Sequence, residues 1–154
     1  MLHFKSIQND NNLKEVIKSA FDMDLSVTGS WGYTLEESTI IENGGRTPIE
    51  ELEYTIASMR TYIEMNMTLP KEERFASINL TEIQRKEIKK NNLTYHEVTY
   101  SINAMKEELY ASFIDEYKEC FGKEDFDLAL HFKKRKEAAI TREIKYYFEL
   151  SKTL

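Results

Sequence analysis

The chain has 154 residues, a net charge of −6 and a pI near 5.2, with 41% hydrophobic and 31% charged residues. That length suits one domain with a working core, and the acidic balance disfavours general capture of nucleic acid or of anionic membrane surfaces. One cysteine, Cys120, excludes a disulfide framework within the chain, and no apolar stretch approaches a signal core or a membrane span, so a cytoplasmic location is expected.

From Asn12 to Met23, Leu13, Val16, Ile17, Ala20 and Phe21 recur at helical spacing, which predicts an amphipathic helix capped by Asn11 or Asn12. Asp24–Thr28 alternates, Gly29-Ser30-Trp31-Gly32 interrupts it, and Tyr33–Ile41 resumes extended character, so a strand pair joined around the glycines is expected. Asn43-Gly44-Gly45-Arg46 reads as a loop. Thr47-Pro48-Ile49-Glu50 reads as a capping box with proline in the first helical position, opening a helix to about Met67. Within it Ile49, Leu52, Ile56, Met59 and Ile63 form a narrow seam for packing on the core or on a second copy, which leaves a homodimer open.

After the Leu69–Glu73 connector, Phe75–Ile83 looks extended, and Glu87–Ala104 looks like a hairpin turning at Asn91-Asn92. Tyr95, Val98, Tyr100 and Ile102 keep no single parity, which implies burial on both faces or a bulge. From Met105 the period is helical again, with Leu109, Phe113, Tyr117, Cys120 and Phe121 on one stripe, Cys120 read as a buried thiol, and Gly122 as the stop. Asp125 can cap a last helix reaching Leu150, with Ile140, Ile144, Tyr147 and Phe148 as its apolar set. The expectation is one helix-rich α+β domain over residues 1–154, with about four antiparallel strands in the order α-β-β-α-β-β-α-α packed against helices.

No phosphate loop, dinucleotide fingerprint, paired-cysteine spacing or nucleophile elbow is present, and no cofactor is called for. Glu124, Asp127 and His131 would share one helical face and could hold a divalent metal; the plainer alternative is an acidic first turn with His131 partnering Asp127. Lys133-Lys134-Arg135-Lys136 gives residues 123–154 eight basic against six acidic residues, net +2, while residues 1–122 carry 13 against 21, net −8. Four successive helical residues spread around the circumference, so the run is not a phosphate-binding face by itself. The Trp31 turn could be an interface anchor, or the indole could fold back onto the core beside the sheet. Met59, Met65 and Met67 fit uneven packing at a helix end.

The reading that follows is a small acidic protein-binding module, inhibitor-, immunity- or chaperone-like, acting through its surface on another protein, for which a cationic one would suit, rather than an enzyme. The alternative is a ligand binder or enzyme whose pocket, between sheet and helices, is lined by Trp31, Tyr33, Tyr95, His96 and Tyr100. A nucleic-acid role for the last helix ranks third. His3 and His96 have no partner visible in sequence.

Overall fold

The computed structural model describes residues 4–7, 13–42 and 47–153; His3, the Asn11/Asn12 cap and the 43–46 loop lie outside them. Among the described residues four α-helices, α1 (Leu13–Phe21), α2 (Ile49–Tyr62), α3 (Glu107–Cys120) and α4 (Leu128–Ala138), accompany five strands. The strands are β1 (Val27–Gly29), β2 (Thr39–Ile41), β3 (Phe75–Lys90), β4 (Leu93–Lys106) and β5 (Ile140–Glu149). They form one mixed α+β sheet in the order β1-β2-β5-β4-β3, antiparallel except for the parallel pair β2 and β5.

Two features depart from the expected four antiparallel strands. Residues 140–149, expected as the end of a long helix, are a strand: Ile144, Tyr146 and Phe148 are buried in alternation, the period of a pleat. The stretch also fits helical spacing through Ile140, Ile144, Tyr147 and Phe148. Antiparallel pairing with ten residues of β4 decides between the two. The extended pieces expected at 75–83 and 87–90 are one sixteen-residue strand, β3, with register shifts between Ala76 and Asn79 and between Glu82 and Gln84. The turn at Asn91-Asn92 is where the sequence puts it. Both residues have positive φ (54° and 64°), as a two-residue hairpin of the twisted kind requires.

α2 starts one residue later than the capping box implies. Pro48 itself is the N-cap, with ψ at 143°, and no side chain caps the helix; Glu51 and Leu52 donate instead to the Pro48 carbonyl. At its other end the helix widens into a π turn over Ile63–Met67, where the Thr68 amide reaches back five residues to the Ile63 carbonyl (3.1 Å). The predicted seam is used within the chain. Leu52, Ile56, Met59 and Ile63 are buried with Val98, Tyr100, Ile102, Ile144, Tyr146 and Phe148 of the sheet and with Leu13 and Ile17 of α1. The opposite face of β4 and β5 carries Glu97, Ser101, Asn103, Glu143 and Lys145.

α3 and α4 form a helical hairpin inserted between β4 and β5. α3 stops where Gly122 takes φ 89° in open space. Asp127, not Asp125, caps α4 by accepting from the Leu130 amide at 3.0 Å. Cys120 ends α3 only partly covered, since the hairpin face it lies on is shallow. Among the described residues no helix is long and apolar enough to cross a membrane.

Candidate functional site

Beside the apolar seam, α2 and the π turn that continues it bury a second row that is charged: Glu53, Arg60 and Glu64 are 0%, 2% and 2% exposed. Such groups leave water only when paired, because an unpaired buried charge costs several kcal/mol. Their partners therefore define the polar chemistry of the interior.

Arg60 lies between two tyrosine rings, its guanidinium carbon 4.3 Å from the Tyr33 centroid and 4.4 Å from that of Tyr146. Its Nη1 and Nη2 donate to the Trp31 and Lys145 carbonyls, each at 3.0 Å. Glu64 accepts from the Tyr33 hydroxyl (2.5 Å) and from Arg142 (3.0 Å), with Arg60 Nε at 3.9 Å. The Tyr33 hydroxyl in turn accepts from the Ile7 amide, and Arg142 lies over the Phe4 ring, so the 4–7 segment closes this cluster. Tyr146 donates to Thr39 (2.6 Å), which donates to the Ser30 carbonyl. A Cβ on Gly32 would stand 2.0 Å from the Tyr146 ring, and Gly32 has φ 73°; only glycine permits this approach.

Two helical turns away, Glu53 accepts from Arg85 Nη1 (2.7 Å) and from His96 Nδ1 (2.8 Å). Arg85 also grips Glu82 through two bonds of 3.1 and 2.6 Å. That grip holds the Glu82 carboxyl below its usual range. In both clusters most of the charged atoms face a partner, while Arg60 Nε, the Trp31 indole N–H and the Tyr100 hydroxyl are buried with no hydrogen-bond partner among the described residues.

The five residues expected to line one pocket are therefore divided. Trp31 (1% exposed) and Tyr33 join the Arg60 cluster. His96 belongs to the Glu53 cluster, beside fully buried Tyr100, and Tyr95 is half-buried on the other face of β4. Nor do Glu124, Asp127 and His131 converge. Asp127 caps α4, and His131 is buried among the Phe113, Tyr117, Phe126 and Phe132 rings with Nδ1 on Glu116 at 3.2 Å. Glu124 is exposed, and among the described residues no three carboxylate, His or Cys side chains stand together as metal ligands. Glu53, Arg60 and Glu64 were missed by sequence reasoning. Their signal was spacing: with Ala57 they fall at 53, 57, 60 and 64, one stripe beside the seam.

The tyrosines give a direct test. Burial pushes Tyr33, Tyr100 and Tyr146 well above the ordinary value of 10.0, with Glu64 adding to Tyr33 and Glu53 to Tyr100. Below 10 both folded and unfolded chains hold these protons, and the stabilisation is complete. Above 10 the unfolded chain releases them first, so stability falls as pH rises. Absorbance titration near 295 nm should show these three of the nine tyrosines ionising only with unfolding. Nine groups titrating near 10 with the fold intact would contradict the burial.

An open concavity lies elsewhere. Phe21 of α1, Tyr54, Met59 and Tyr62 of α2, and Ile78 and Leu80 of β3 line an apolar groove of about 360 Å³. Tyr54 and Tyr62 are 42% and 41% exposed along it. β3 is the edge of the sheet, and the Tyr54 hydroxyl donates to its Leu80 carbonyl at 3.1 Å. No protein-family model matches the chain, and neither a curated protein nor a solved structure matches it.

Proposed function

We propose that this protein is a small, acidic, cytosolic protein-binding module, working through its surface in the manner of an inhibitor, immunity protein or chaperone. The observation that carries this reading is the apolar groove running beside β3, an edge strand with no further strand paired to it among the described residues. An edge strand offers its backbone to an incoming extended segment, and a neighbouring pocket with two exposed tyrosines supplies the anchor for a side chain. The net charge of −6 favours a basic partner.

Ser58 lines the groove and is the place to block it. Ser58→Arg should keep the circular dichroism and melting behaviour of the parent. In quantitative affinity capture from the producing cell, it should lose partner proteins about tenfold or more, the loss expected when a central contact is displaced. Equal capture by both proteins would end the proposal. A ligand-binding reading predicts otherwise: a dialysable extract would raise the melting temperature of the parent and not of Ser58→Arg.

A further inference from the structure

We infer that the α3–α4 hairpin is a self-association surface, taking the same hairpin of a second copy as its partner. No residue of α3 is fully buried, and within α4 only His131 is. Two helices on their own cover only one side of each other, and apolar side chains remain outside. Here Leu109, Phe121, Leu128, Leu130 and Phe132 are 39–59% exposed, half of the large exposed apolar residues of the described chain. Leu128 and Phe132 stand one turn apart on α4, and Phe121 stacks on Tyr117 with centroids 5.0 Å apart. Leu128 and Phe132, stacked along one side of α4, are exposed apolar side chains of the kind that interfaces cover.

Charge selects the occupant. α3 carries Glu107, Glu108, Asp115, Glu116 and Glu119 against one lysine; α4 carries Lys133, Lys134, Arg135 and Lys136 against one glutamate. Glu108, Asp115 and Glu119 fall at i, i+7 and i+11, on one face around a depression floored by Ala111 and Ser112. Lys133 and Lys136, at i and i+3, share one side of α4 with Phe132, and neither they nor the three acidic residues make an ion pair among the described residues. One chain thus displays both halves of a complementary set. A second copy laid against it sets α4 on α3 twice over, as a self-complementary interface does, and forms a four-helix arrangement that covers Leu128 and Phe132. This surface is separate from the groove at β3.

Charge exchange tests the inference. One variant carries Lys133→Glu and Lys136→Glu; the other carries Asp115→Lys and Glu119→Lys. Light scattering after size exclusion should find the parent dimeric at low salt and weaker at high salt. Each variant alone should dissociate at least about tenfold more readily, since like charges then face each other. Their equimolar mixture should recover the dimer, which also shows that both variants are folded. A parent that stays monomeric at millimolar concentration, variants that dimerise alone as the parent does, or a mixture that stays monomeric would each overturn the inference. Ser58→Arg should leave the dimer unchanged, so a fault in the groove reading is seen separately.

Discussion

Replacing Arg60 with methionine is expected to destabilise the protein by about 3–5 kcal/mol, the cost of breaking a buried charge network by removing one partner. Methionine fills much of the space between the Tyr33 and Tyr146 rings but supplies no donor. The Trp31 and Lys145 carbonyls each lose a 3.0 Å bond, and among the described residues Glu64 keeps only Arg142 as a cationic neighbour. Trp31 is the sole tryptophan and is 1% exposed, so its emission follows unfolding in urea directly. In the parent that emission should be blue-shifted and resistant to quenchers. A midpoint for Arg60→Met within about 0.5 kcal/mol of the parent, the range of an ordinary surface change, would refute the network's role. Combining it with Glu64→Gln should give a loss smaller than the sum, because the two side chains share one cluster.

Ile56→Ala should cost about 2–5 kcal/mol by opening a cavity where α2 meets the sheet. Ile56 is 0% exposed, at the middle of a seam whose other members from Leu52 to Ile63 are also buried. The denaturant midpoint should fall with an unchanged slope, since the same surface is exposed on unfolding. Glu50→Ala, on the exposed side of the same helix, is the control and should move stability by no more than about 0.5 kcal/mol. If both substitutions gave equal small effects, α2 would not be packed as described.

Local signals carried most of what was legible. The α1 stripe, the α2 seam, the Asn91-Asn92 turn and the Gly122 stop each rest on a few neighbouring residues, and each is in the structure. β5 was hidden because Ile140, Ile144, Tyr147 and Phe148 satisfy a helix as well as Ile144, Tyr146 and Phe148 satisfy a strand. The deciding contacts lie on β4, some forty residues earlier. The polar clusters were hidden for the same reason: Glu64 meets Tyr33 and Arg142, 31 and 78 positions away. The groove could not be read at all, since it takes α1, α2 and β3 together to enclose it.

The place of β5 has a consequence for synthesis. It is the last strand in the described chain, yet it lies between β2 and β4, with Thr39 of β2 opposite Phe148. A ribosome therefore delivers two separate ribbons, β1-β2 and β3-β4, well before the segment that joins them. Until it arrives, the inner edges of β2 and β4 are both open, and the apolar face of the β3-β4 ribbon has lost its neighbour. Edges and faces of that kind pair wrongly between nascent chains. Residues 140–149 close this interval, and a chain stopped short of them would remain two ribbons rather than become a smaller version of the same sheet.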